Sequence, residues 1–196
     1  GWISGAKALA VACGILILAW SLGTVTDELG TANYIVSITK GIIPPFMVPT
    51  MMFIIPGIVA FATGTSWGAN AIIMPLAIPM AYQFGAPMIP TIGAVLTGCV
   101  LGDHCSPISD TTIMSSTASA ADHIDHVRTQ LPYAVVVGVV SILIGFIPAG
   151  FDLNYWTVIP LLAIGLIILY LIVNFYGKEV DGNRLELEDL KEQIAE

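Results

Sequence analysis

The chain has 196 residues, of which 56% are hydrophobic and 10% charged, with a formal net charge of −8. Soluble domains average about 25% charged residues, and the polar sequence left between the apolar runs here is too sparse to give a soluble protein its surface. Residues 177–196 hold three of the six Lys/Arg and seven of the fourteen Asp/Glu, so the acidity belongs largely to a tail and neither a nucleic-acid footprint nor a polybasic lipid anchor is present.

A membrane-spanning helix needs about 20 mostly apolar residues, and several runs approach or meet that length. The first predicted span covers about 7–25. Lys7 before an apolar stretch mimics a signal peptide, but Gly23 to Gly30 offers no small-x-small cleavage pattern, so a true span is read, in a chain that starts mid-protein. An interfacial stretch with Tyr34 and Lys40 leads to the turn signal at Pro44-Pro45. Residues 44–84 are predicted as a re-entrant hairpin. Its arms, about 46–62 and 69–83, carry Pro49, Pro56, Pro75 and Pro79 around the interruption Thr63-Gly-Thr-Ser-Trp-Gly68. At 1.5 Å per residue such arms reach only about 21–26 Å, short of a ~30 Å hydrocarbon core.

Residues 88–121 are predicted as a discontinuous transmembrane helix. The apolar arm Ile89–Leu101 meets the polar run 102–112, which contains Gly102 and Pro107, and a second arm of small residues follows. Two ordinary spans, about 131–149 and 155–176, are joined by a short loop at Asp152. Together, 1–176 read as an all-α polytopic membrane domain. Residues 177–196 read as an acidic amphipathic tail with Leu187, Leu190 and Ile194 on one stripe. The positive-inside rule puts Arg128, with residues 122–130, on the cytoplasmic side beside Lys178, Arg184 and Lys191. A re-entrant hairpin also places Lys7 inside and Lys40 outside. One broken span would exchange those two, and charge counting does not separate the alternatives.

The informative residues are polar ones at membrane depth, tolerated there only when buried in protein or lining a wet cavity. Asp103, His104 and Asp110 lie between two apolar arms, among Ser106, Ser109, Thr111 and Thr112. Carboxylates, hydroxyls and freed carbonyls suit a hard cation such as Na⁺. A carboxylate in a partly dry site is also pushed toward its protonated form, so it can trade a cation for a proton. Asp103 and Asp110 are therefore the candidate Na⁺ and proton site, Asp110 foremost because it follows the break where Pro107 frees backbone carbonyls, with Ser106, Ser109 and Thr111 completing a coordination shell. Helix capping by Ser106, Ser109 and Asp110 is the plainer alternative. At the hairpin tip, Thr63, Thr65, Ser66 and Asn70 are candidate substrate or ion ligands, because half-helix ends and close backbone approach at Gly64 and Gly68 favour binding there. His104 reads as an orienting hydrogen bond or a pH-sensing group. His123 and His126 read as a solvated cytoplasmic turn that can also sense pH. Cys13, Cys99 and Cys105 lack paired spacing and suggest no disulfide.

Gly64-Thr65-Ser66-Trp67-Gly68 matches the G-x-S-x-G nucleophile elbow, but that elbow follows a strand in a soluble sheet. An intramembrane serine protease pairing Ser66 with His104 is the outside alternative, and it explains neither Asp103 nor Asp110.

The run Gly102-Asp-His-Cys-Ser-Pro-Ile-Ser-Asp-Thr-Thr112, with Ser115-Ser116-Thr117 and Asp122-His-Ile-Asp-His-Val-Arg-Thr-Gln-Leu-Pro132, resembles the NhaC-type Na⁺/H⁺ antiporter family, which includes malate/lactate antiporters. Ala62-Thr-Gly-Thr-Ser-Trp-Gly68 and Leu18-Ala-Trp-Ser-Leu-Gly23 look like further signatures. The resemblance implies an inverted-repeat fold of the wider ion transporter superfamily, of which this chain is the C-terminal half. It also implies site roles for Asp103, Ser106, Ser109 and Asp110, with Thr65 and Ser66 at the tip. The expected function is secondary antiport of Na⁺ for H⁺ in the cell membrane, with a small organic anion as a coupled substrate or, alternatively, carboxylate exchange. Expected partners are Na⁺, H⁺, a small carboxylate, the bilayer, an N-terminal half and a second copy of the chain. No cofactor, enzymatic activity or nucleic acid is expected.

Overall fold

Proline and glycine placement accounts for most of the helix boundaries in the computed structural model. It describes residues 42–177 throughout, 28–39 before them, and positions 17, 18, 21, 24 and 25. The span predicted at 7–25 therefore lies mostly outside the described residues, as do Lys40, Gly41 and the tail beyond Gly177. The described residues form helices and no strand.

The interfacial stretch is a short helix, α1 (Thr31–Thr39). Pro44 and Pro45 open a 3₁₀ turn, Pro45–Met47, that runs into α2 (Val48–Thr63). Gly64, in the left-handed region at φ 68°, ends α2, and its N–H caps the Ala60 carbonyl. Thr65 is extended and its side chain accepts from the Gly68 N–H, starting α3 (Ser66–Phe84). The interruption expected over six residues is thus two residues long, Gly64 and Thr65. Pro56, Pro75 and Pro79 all sit inside helices, a placement that neighbouring helices make tolerable in membranes. Pro45–Thr63 and α3 each run 19 residues, roughly 28 Å. The arms are therefore not short, and arm length does not argue for a mid-membrane tip.

Next come α4 (Met88–Cys105) and α5 (Asp110–Ala118). Helix α4 continues through Gly102, Asp103 and His104, which were expected to be unwound. Pro107 stops it: the residue before a proline is driven out of the α region, and Ser106 is extended at φ −78°, ψ 127°. The break is only 106–109. Helix α6 (His123–Ala149) starts eight residues before the expected 131 because Asp122 caps it, its Oδ1 accepting from the N–H groups of Ile124 and Asp125 at 2.9 and 3.0 Å. Its Ser141–Phe146 stretch is π-helical. Asp152, at φ 54°, turns the chain into α7 (Tyr155–Tyr176).

Helices α2 and α4 run parallel in near backbone contact. A Cβ built on Gly98 would lie 2.2 Å from the Phe53 carbonyl oxygen, and one on Gly102 would lie 2.0 Å from that of Gly57. Ala94, Gly98 and Gly102 recur every four residues and form one small-residue stripe, the device by which membrane helices approach closely. Helix α3 returns to the level where α2 began, since Pro45 and Gly85 line one cavity with Gly150. There Phe46 stacks on Phe151 with centroids 4.7 Å apart. Val48, Met52, Phe53, Ala60, Ala69, Ala77, Ala94, Val95 and Cys99 form the core of this unit.

Among the described residues, four helices are long and apolar enough to cross a membrane: Pro45–Thr63, Met88–Cys105, His123–Ala149 and Trp156–Tyr176. The last is unburied over its apolar window, and Trp156, Ile159, Leu162, Leu166 and Tyr170 all face outward. A helix apolar all round belongs in lipid or in a larger core.

Candidate site at the helix break

Ser106, at the end of α4, is fully buried. Its hydroxyl donates to the Phe61 carbonyl of α2 at 2.8 Å, across 45 residues of sequence. Three residues on, just past the end of α2, Gly64 touches the break: a Cβ there would stand 2.7 Å from the Ile108 carbonyl oxygen. Gly64 is thus required by its left-handed φ and by space. The hairpin tip and the centre of the broken helix meet at this point.

Asp103 lies on the last turn of α4 and is only 8% exposed. Ser109 Oγ donates to its Oδ1 at 2.7 Å, Thr111 Oγ1 stands 3.4 Å from Oδ2, and the two hydroxyls are 2.8 Å apart. Ser109 occupies the N-cap position of α5 without capping it, because its hydroxyl is engaged on Asp103. Four oxygens from both sides of the break therefore converge, the donor chemistry of a hard-cation site.

Asp110 is exposed on the first turn of α5, where a carboxylate also complements the helix dipole. The two carboxylates occupy different surroundings. His104 is exposed, and its backbone carbonyl accepts from Gln130 Nε2 at 2.7 Å. At the tip, Thr63 Oγ1 is spent on the Val59 carbonyl at 2.8 Å, Thr65 caps α3, and Ser66 is the first residue of that helix. Asn70, one turn on, has a buried Oδ1 with no hydrogen-bond partner. A buried carbonyl oxygen left unpaired is costly and is ready to accept a ligand.

His123 and His126 are not in a loop. They lie in the first turn of α6, against α5. Ser116 Oγ stands 3.1 Å from His123 Nδ1 and 2.7 Å from His126 Nδ1, and it donates to the Thr112 carbonyl at 2.8 Å. His123 Nε2 is 2.7 Å from the Pro107 carbonyl in the break. Ser116 was missed as a site residue. Its only sequence signal was a hydroxyl in a small-residue arm, which does not distinguish a hub from packing.

The elbow motif does not form a hydrolase site. Ser66 follows a helix rather than a strand, and among the described residues no hydrogen bond joins it to His104.

The sequence model of the Na⁺/H⁺ antiporter family matches residues 2–151. An uncharacterized protein of Haemophilus influenzae is 42% identical over 170 residues, 86% of this chain and 32% of that protein. The malate-2H⁺/Na⁺-lactate antiporter of Bacillus subtilis is 30% identical over 76% of this chain and 36% of its own length. The arginine/ornithine antiporter ArcD of Halobacterium salinarum is 31% identical over 65% of this chain and 26% of its own length. The chain thus spans about a third of the length of these relatives, less than the half expected from the resemblance. No solved structure matches it.

Proposed function

The chain belongs to the Na⁺/H⁺ antiporter family, and from that premise we propose that it carries the cation and proton site of a secondary antiporter in the cell membrane. The family is one of secondary transporters rather than enzymes. The observation that carries the reading is Asp103, a buried carboxylate covered by Ser109 and Thr111 at the point where the hairpin tip meets the broken helix. When ionised, Asp103 offers its oxygens to Na⁺ together with those two hydroxyls. When protonated, it holds one hydrogen in place of the cation and donates it to one of those hydroxyls. Na⁺ and H⁺ then compete for the same oxygens, so apparent Na⁺ affinity falls as pH falls. Asp110, exposed beside the site, attracts cations toward it. Ser106 holds the break against α2, and the Asn70 oxygen with Thr65 and Ser66 supplies the tip's contribution.

Within this reading the hairpin is re-entrant, α6 begins on the cytoplasmic side with residues 122–130, the acidic tail lies on that side, and the rest of a longer protein or a second copy completes the cavity. Transported Na⁺ and H⁺ are substrates, and no cofactor takes part. The malate/lactate relative favours a small carboxylate as the coupled substrate, held by tip hydroxyls and half-helix ends. Flux in vesicles tests both parts. A Na⁺ gradient should drive proton movement, and addition of a dicarboxylate should change its rate if an organic anion is coupled. Absence of Na⁺-driven proton movement with and without dicarboxylate would remove the antiport reading. For the hairpin, cysteines at Ile42 and Gln83 should both react with an impermeant maleimide from the same face of the membrane, and labelling from opposite faces would refute re-entrance.

A further inference from the structure

We propose that His123 is a positioning residue for the broken helix: its imidazolium ties the Pro107 carbonyl in the break to Ser116 on α5, and loss of its proton slackens that tie. The functional consequence rests on the break being the transport site.

The inference is a count of hydrogens. The Pro107 carbonyl has none to give, so His123 Nε2, 2.7 Å away, must carry one. Ser116 Oγ has a single hydrogen, and the Thr112 carbonyl at 2.8 Å takes it. Ser116 then has only lone pairs left for His123 Nδ1 at 3.1 Å and His126 Nδ1 at 2.7 Å. Both of those nitrogens must donate. His126 meets this as a neutral ring with its proton on Nδ1. His123 already donates from Nε2, so it fills every contact only with both nitrogens protonated. A neutral His123 forces a loss. Either Ser116 turns its hydrogen from Thr112 to the ring, or the ring releases Pro107. Ser116 is 2% exposed, so water does not readily replace the missing bond.

The surrounding charges do not change this count. Asp122 caps α6 through the Ile124 and Asp125 N–H groups. Asp125 and Arg128 are exposed on α6, Asp110 is exposed on α5 and His104 on α4. Among the described residues, no carboxylate is hydrogen-bonded to either ring. What the rings face is a carbonyl and a hydroxyl.

Pro107 lies between two residues with fixed tasks: Ser106, bonded to the Phe61 carbonyl, and Ser109, bonded to Asp103. Slack at Pro107 is therefore transmitted to both, and a proton on the α6 side governs how firmly the break is held.

Amide hydrogen exchange of the full-length protein in detergent tests this without ion flux, so it stands whether or not antiport occurs. After correction for intrinsic exchange, residues 106–112 should exchange about fivefold faster at pH 8 than at pH 5.5, the effect of one lost hydrogen bond. His123→Gln keeps a neutral donor and should give the same exchange at both pH values. Ser116→Ala should also be flat, since no hydroxyl remains to force the count. Unchanged exchange across α2, residues 48–63, distinguishes these variants from misfolded protein. A pH-independent parent, or a His123→Gln variant that keeps the parent's ratio, would overturn the proposal.

Discussion

Asp103→Asn is expected to abolish Na⁺-driven proton movement, by roughly a hundredfold or more, while leaving the protein folded and inserted. Asn preserves the shape and can still bond Ser109 Oγ, but it carries neither the negative charge nor the exchangeable proton. Stripping the charge from a buried ion pair costs about 3–5 kcal/mol, and each 1.36 kcal/mol is a factor of ten. The contrast with Asp110→Asn makes the result specific. Asp110 is exposed and would act on an ion at Asp103 only through solvent, where charges contribute about 1 kcal/mol or less, so its loss should weaken apparent Na⁺ affinity only a few-fold. Exchange measured in vesicles between pH 6 and 9 reads both variants. Full activity in Asp103→Asn, or abolition by Asp110→Asn alone, would move the site off Asp103.

Gly98→Ala should be strongly destabilising, and Gly93→Ala should cost nothing. A Cβ at Gly98 would sit 2.2 Å from the Phe53 carbonyl oxygen and 3.0 Å from its carbon. Those are backbone atoms of a packed helix, so no side chain can rotate away and α2 must separate from α4. That exceeds ordinary overpacking, which costs about 1–3 kcal/mol. The displacement also propagates, because the same pair of helices carries the Ser106–Phe61 and Gly64–Ile108 contacts. At Gly93 the added methyl meets nothing within 4 Å, and alanine improves helix propensity by about 1 kcal/mol. Thermal melting in detergent should show a large loss for Gly98→Ala, with exchange activity falling in parallel, and none for Gly93→Ala. Equal melting temperatures for the two variants would contradict the parallel α2–α4 contact.

Much of this protein was legible from residue types alone. Charge scarcity and run length are local quantities, and they define a helical membrane protein with spans near 131–149 and 155–176. Proline and glycine act through their own backbone, so the turn at Gly64 and the stop at Pro107 were legible too. Clustering of hydroxyls and carboxylates over ten residues pointed to the break because membrane depth makes polar residues costly. Helix continuation was misjudged for the same reason. Asp103 looks like a loop residue only until Ser109, Thr111 and burial support it inside α4, and proline looks like a helix terminator only until neighbouring helices shield the freed carbonyls.

What the tertiary structure alone decided is which polar groups face each other. Asp103 and Asp110 are seven residues apart, and position after Pro107 favoured Asp110 as the site, yet the kink at Ser106–Ser109 buries Asp103 and exposes Asp110. Ser106 reaching Phe61, Gly64 meeting Ile108, and His123 reaching Pro107 join residues 45, 44 and 16 positions apart. Such contacts depend on how α2, α4 and α6 are set against one another. That setting comes from the summed packing of Gly98 on Phe53, of Gly102 on Gly57 and of Phe146 on Phe53, whose ring centroids are 4.6 Å apart. The sequence by itself determined which chemistry is present and at what depth. Only packing between distant helices determined which carboxylate that chemistry surrounds.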